Sequence, residues 1–193
     1  MTRSLLDSLP LFPLNTVLFP GGRLPLKIFE QRYMDMAKVC LKEGSPFGVC
    51  LIRAGGEVGE PATPADVGTL ARITAWDMPQ LGVLEVVALG VQRFRIRDRR
   101  VQPDGLGRAS IEPLPDDEDS AIPATCAACV TLLERVIERQ PAFFEPPLRK
   151  DSSSWVSSRL AELLPLPLSA KQELLELADA RARLERLNVL LGR

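Results

Sequence analysis

The chain has 193 residues, enough for one large or two small domains. Apolar residues make up 46% and charged residues 25%, a globular balance, and no apolar run approaches the ~20 residues needed to cross a bilayer. Lysines and arginines number 24 against 25 aspartates and glutamates, so the chain exerts no general pull on nucleic acid or on an anionic membrane.

At the amino terminus, Asp7 and Pro10 interrupt what would otherwise be the apolar segment of a signal peptide, which predicts a cytoplasmic protein. Leu11-Phe12-Pro13-Leu14 and Leu24-Pro25-Leu26 read as two short extended runs around the turn Pro20-Gly21-Gly22. Pro13 and Pro25 lack an N–H, so their strands are expected at a sheet edge or beside a bulge. The spacing of Tyr33, Met36, Ala37, Cys40 and Leu41 predicts an amphipathic helix over 30–43, stopped by Gly44, with Arg32, Asp35, Lys38 and Lys42 facing away. A strand is expected over 47–53, a mobile loop over 54–64, and further strands over 67–76, 83–89, 94–101 and 109–114.

The acidic stretch Asp116-Asp117-Glu118-Asp119 reads as a solvated linker, after which the apolar period changes from two to 3.6. In a helix over 121–140, Cys126, Cys129, Leu133 and Val136 share a stripe, so this C-x-x-C reads as core rather than as a metal or redox pair. Asp151 or Ser152 can cap a second helix carrying Trp155, Val156, Leu160, Leu163 and Leu164. Ser169 and Gln172 fit a capping box, and the last helical stretch has a kink expected near Asp179. The layout is a β-rich unit over 1–115 and an α-helical unit over 120–193, an α+β fold.

Chemistry is sparse. The chain has no histidine, the commonest general base and metal ligand, and no phosphate-cradling P-loop. No cofactor is expected, and the protein reads as a non-enzyme. Alternation along 93–99 puts Arg93, Arg95, Arg97 and Arg99 on one face, with Phe94 and Ile96 turned inward. That face is a solvated surface or the binding site of an acidic or phosphate-bearing partner. Phe29, Tyr33 and Trp76 read as core or as binding surface, with the core as the default.

The segments Pro10-Leu11-Phe12-Pro13-Leu14, Val17-Leu18-Phe19-Pro20-Gly21, Leu24-Pro25-Leu26, Ile28-Phe29-Glu30 and Arg32-Tyr33 occur in an order that resembles the start of the Lon protease amino-terminal, substrate-binding domain. Matches continue through Pro46-Phe47-Gly48-Val49, Val67-Gly68-Thr69-Leu70, Gly90-Val91-Gln92-Arg93-Phe94 and Arg183-Leu184-Glu185-Arg186-Leu187. The resemblance implies a six-stranded, PUA-like pseudo-barrel with one helix, followed by a helical bundle. It also implies recognition of unfolded or extended polypeptide, or of a protein partner, and an association of copies. The ATPase and protease parts of Lon have no counterpart in these residues. The candidate binding surface is Pro20, Gly21, Gly22, Leu24, Pro25, Phe29 and Glu30, together with loop 54–64. A PUA-like RNA-binding protein using the arginine face is the alternative, and the net charge of −1 argues against it.

Overall fold

The computed structural model describes residues 6–144 and 146–192. It is a mixed α/β structure of two compact units, Met1–Leu114 and Pro115–Arg193. The first holds a seven-stranded sheet: β1 (Leu9–Leu14), β2 (Arg23–Ile28), β3 (Phe47–Ala54), β4 (Thr63–Pro64), β5 (Val67–Gln80), β6 (Val83–Val101) and β7 (Gly107–Pro113). One helix, α1 (Gln31–Glu43), lies between β2 and β3. The second unit holds α2 (Ala127–Arg139), α3 (Ser153–Leu163), α4 (Leu168–Glu176) and α5 (Ala180–Leu191).

The sheet order is β1-β7-β6-β5-β3-β4, and a parallel β1–β3 pairing closes the path into a ring, while β2, among the described strands, pairs with β6 alone. β1 closes the ring, but its two ends bond different neighbours. It stands opposite Gly48, Val49, Cys50 and Leu51 through Leu11, Phe12, Pro13 and Leu14, whereas its pairing with β7 covers Leu9 and Pro10. Beyond Pro10 it has β3 on one side only, which tolerates a residue without an N–H at Pro13. All six β1 residues are buried. Leu9 and Leu11 join Cys50, Leu70, Phe94 and Ile111 in one cluster, and Phe12 and Leu14 join Ile28, Tyr33, Met36 and Phe47 in another. Burial on both faces accounts for its unbroken apolar run, each large side chain contributing roughly 2 kcal/mol.

The resemblance implied six strands and the runs read from the residues numbered seven; a seven-stranded sheet is found, with the two-residue β4 in it. The expected break after residue 89 does not occur, and β6 runs on for 19 residues. Gly90 has no positive φ there; its position needs glycine because the Phe19 carbonyl packs where a side chain would stand. Gly48 and Gly68 are crowded in the same way around the Phe94 ring.

Gly44 ends α1 as expected, with φ 62° and its amide donating to the Cys40 carbonyl. Arg32, expected on the outer face, is 8% exposed. Its guanidinium donates to the carbonyls of Gly105 and Gly59 and to Glu30, and its charge lies 4.7 Å from the Tyr33 ring centre.

In the second unit Cys126, Cys129, Leu133, Val156, Leu160, Leu174, Leu184 and Leu187 are buried. The acidic stretch is not merely solvated. Asp117 pairs with Arg183, which is 1% exposed and also donates to Ser157 Oγ and the Leu177 carbonyl. Asp119 accepts from Ser152 Oγ at 2.7 Å and from the Ser154 amide, so it supports the start of α3, where Ser152 caps the Trp155 amide. Leu163, placed on the buried face by periodicity, is 37% exposed. The Ser169 capping box does not form, because α4 starts two residues earlier, straight after Pro167, and Gln172 bonds Glu176 instead. The expected kink is a full break: Asp179 caps α5 through the amides of Arg181 and Ala182.

Candidate functional site

Three strands, β2, β5 and β6, and the turn before β2 frame the site. The turn Pro20-Gly21-Gly22 takes φ 76° at Gly21 and is latched to β6 on both sides of Gly90. The Gly21 amide donates to the Gly90 carbonyl at 2.8 Å, and the Gly90 amide donates to the Gly22 carbonyl at 2.9 Å. Thr69 Oγ1 holds the chain just before the turn by donating to the Leu18 carbonyl at 2.5 Å.

The Gly90–Gly22 bond sets the parity of the ladder that follows. In an antiparallel pair, bonded and non-bonded residue pairs alternate. Counting from Gly22, Leu24, Leu26 and Ile28 bond β6 opposite Ala88, Val86 and Leu84. Arg23, Pro25 and Lys27 therefore turn their backbone groups away from β6, and among the described strands none pairs with that side. Pro25 sits where its missing N–H subtracts nothing from the β6 ladder.

Residues 25–27 are shared by two clefts. One, about 260 Å³, is lined by Phe12, Leu14, Ile28, Phe29, Glu57 and Val58 among others. The other, about 440 Å³ and mostly apolar, is lined by residues 25–27, 75–77 and 85–87. Around it, strand register gives three cross-strand rows on one sheet face: Arg23–Leu89–Arg72, Pro25–Val87–Ala75 and Lys27–Glu85–Asp77. Lys27 Nζ and Glu85 are 2.9 Å apart.

Large apolar side chains remain exposed nearby. Phe29 is 57% and Trp76 60% exposed, contrary to the expectation of core positions, whereas Tyr33 is buried and stacks on Phe12 at 4.2 Å. Burial pushes the Tyr33 hydroxyl's pKa up against the lowering effect of the Arg32 charge. β5 and β6 continue past the core as a hairpin, carrying Trp76, Met78 and, at its tip, Leu81, which is 98% exposed.

Of the sequence-based candidates, Pro25, Phe29 and Glu30 come together along the first cleft. Leu24 packs against the core, and the turn Pro20-Gly21-Gly22 lies at the opposite end of β2. Glu30 pairs with Arg32, and the Gly59 amide lies 3.4 Å from its carboxylate. Loop 54–64 is thus tied down at Gly59, and also at Glu57, which accepts from the Asn15 amide at 2.5 Å. Lys27, Asp77, Glu85, Met78 and Leu81 were missed. The signal was the continued alternation of Trp76 and Met78 ahead of the Leu81-Gly82 turn.

The four arginines do not form one face. A register shift between Ile96 and Asp98 puts Arg99 opposite buried Ala109, on the inner side. Arg93 is buried, and Arg97 pairs with Glu112. Among the described residues, no group of three or more Cys, Asp or Glu could hold a metal ion. Burial pushes Cys50 up to about 12 and Cys129 to about 11, far from a reactive thiolate.

The family description "ATP-dependent protease La (LON) substrate-binding domain" matches residues 8–193. The Lon protease of Anaeromyxobacter dehalogenans is 30% identical over 96% of this chain and 23% of its own length. Protein cereblon of Danio rerio is 31% identical over 57% of this chain and 26% of its own. The chain thus spans about a quarter of the length of these relatives. The crystal structure of a Lon N-terminal domain protein from Xanthomonas campestris superposes with TM-score 0.79 and 38% identity, covering 94% of this chain and 96% of that one. The N-terminal domain of a Mycobacterium avium complex Lon protease shares the fold, with TM-score 0.68 at 20% identity over 94% of this chain and 96% of that one.

Proposed function

The chain belongs to the ATP-dependent protease La (LON) substrate-binding domain family, and from that premise we propose that it is a non-enzymatic module that recognises extended, apolar polypeptide segments along the open side of β2. One observation carries this reading: among the described strands β2 is paired on one side only, and its residues 25–27 line two clefts. A strand laid beside β2 would bond the outward groups of Arg23, Pro25 and Lys27 and send alternate side chains into the two clefts. Phe29 and Trp76 supply exposed aromatic surface beside it. The arginine strand offers no continuous basic face, which disfavours the RNA reading. The finer parts of the reading are a PUA-like barrel, a carboxy-terminal helical bundle, self-association and a cytoplasmic location. Four free, buried cysteines fit a reducing compartment.

Fluorescence anisotropy with a labelled, permanently unfolded polypeptide tests it. Binding in the micromolar range that falls at least several-fold in Phe29→Ala and Trp76→Ala is expected. Absence of binding at high micromolar protein would overturn it.

A further inference from the structure

The pairing of β1 with β7 ends at Pro10, and beyond it a cleft of about 200 Å³ opens beside β1. Leu11, Pro13, Pro61, Pro64 and Val101 give this cleft apolar walls. It shares Tyr33 with the first β2 cleft and, among the described residues, nothing with the second. Arg99 and Arg100 also line it, whereas no carboxylate among the described residues does. The two arginines face differently. Arg99 stands opposite Ala109, which packs with Leu9 and Leu11, so its side chain turns inward. Arg100, next along the strand, turns the other way and donates to Ser8 Oγ at 3.1 Å. Arg99 is exposed and has no hydrogen-bond or ion-pair partner among the described residues. Nearby acids are engaged or lie outside: Arg32 holds Glu30, the Leu106 amide holds Asp104, and exposed Glu60 does not line the cleft. Tyr33 is 5% exposed and stacked on Phe12, and its hydroxyl has no partner among the described residues, an uncommon state for a buried polar group. Burial raises its pKa, so the hydroxyl stays protonated and is a donor. Arg32 fixes the shape of the cleft. It donates to the carbonyl of Gly105, a lining residue, at 3.1 Å and to that of Gly59, just before Pro61, at 2.8 Å. The cleft is thus formed before any ligand arrives.

We infer that this cleft binds an apolar carboxylate, with the ring or branched chain seated among the prolines and the carboxylate on Arg99 and the Tyr33 hydroxyl. A cavity of about 150 Å³ admits one benzene ring, so the space here fits one ring and a small polar group. One free guanidinium and one hydroxyl supply a single positive charge, which matches a carboxylate better than a doubly charged phosphate ester. Such a group is carried by a free acid or by the last residue of a polypeptide. The inference stands apart from edge docking at β2.

The test titrates sodium benzoate into the isotope-labelled protein at constant ionic strength, with neutral benzamide as control, and follows amide chemical shifts. Benzoate is expected to bind in the millimolar range or tighter, with saturable shifts at Gly105 and Gly107. Benzamide should bind roughly fivefold more weakly. Arg99→Gln and Tyr33→Phe should each weaken benzoate about threefold to tenfold, and Arg99→Gln should leave benzamide unchanged. Arg99 is on the surface and phenylalanine keeps the stacking on Phe12, so both variants should fold, which the same spectra check. A peptide ending in phenylalanine, with its terminal carboxylate free or amidated, separates the two sources. Displacement of benzoate by the free form alone assigns the cleft to a chain terminus, and displacement by neither assigns it to a free acid. Displacement by both forms alike, equal binding of benzoate and benzamide, benzoate binding unaltered in both variants, or no saturable shift at the cleft overturns the inference. Edge docking is read separately, at the amides of Arg23 and Lys27.

Discussion

The amide of Gly90 donates to the carbonyl of Gly22 over 2.9 Å, and this bond determines which backbone groups of β2 face β6 and which face outward. The parity makes neighbouring proline substitutions behave differently. Lys27→Pro removes an outward N–H, so it should leave the fold intact and weaken binding of unfolded polypeptide several-fold relative to Lys27→Ala, which controls for the lost Glu85 ion pair. Leu26→Pro removes a bond to Val86 in the ladder and should destabilise by about 3 kcal/mol. Urea unfolding beside the anisotropy titration separates the two effects.

Gly90 also controls the turn. A methyl group there would collide with the Phe19 carbonyl oxygen, and at Gly68 it would stand 2.5 Å from the Val49 carbonyl oxygen and 2.6 Å from Cys50 Sγ. The Val49 carbonyl is fixed in β3, and the Phe19 carbonyl is held by the Gly22 amide at 3.0 Å, so neither moves aside freely. Gly90→Ala and Gly68→Ala should each lower stability by about 2–3 kcal/mol in urea titrations.

In the helical unit Arg183 and Asp117 form a buried ion pair. Asp117→Ala leaves a guanidinium buried with its charge uncompensated, which should destabilise that unit by about 3–5 kcal/mol. Pairing it with Arg183→Met should recover much of the loss, because the uncompensated charge then disappears. Unfolding followed at the helical circular dichroism signal checks both.

Much of this framework was legible in the chain. The unbroken apolar run of β1, the 3.6 period through Tyr33, Met36 and Cys40, and Gly44 as a helix stop are local signals. What was hidden depends on distant partners. Arg32 looked solvated because its acceptors, Gly59 and Gly105, lie 27 and 73 residues away. Asp117 looked like linker for the same reason, its arginine being 66 residues further on. Trp76 looked like core because periodicity cannot say that the β5–β6 hairpin outruns the core beneath it. The arginine face was lost to partners and to a bulge: Arg93 is buried, Arg97 pairs with Glu112, and the register shift after Ile96 turns Arg99 to the other side.

The buried thiols set an alkaline limit. Folding holds Cys50 at about 12 and Cys129 at about 11, above the free value of 9.0. Between those values the unfolded chain releases thiol protons that the folded chain keeps, so stability is full below pH 9 and falls as pH rises. The slope should approach about 1 kcal/mol per pH unit per thiol, and Cys50→Ala should flatten it. Iodoacetamide at pH 8 should label both thiols only after denaturation.

The account turns on the outward side of β2, and residue-resolved amide hydrogen exchange reads it most directly. Without a partner, the amides of Leu24, Leu26 and Ile28 should be protected by β6, while those of Arg23 and Lys27 exchange quickly. Adding a saturating unfolded polypeptide should protect Arg23 and Lys27. If that polypeptide binds and both amides still exchange at their free rates, it docks elsewhere and the edge account is wrong.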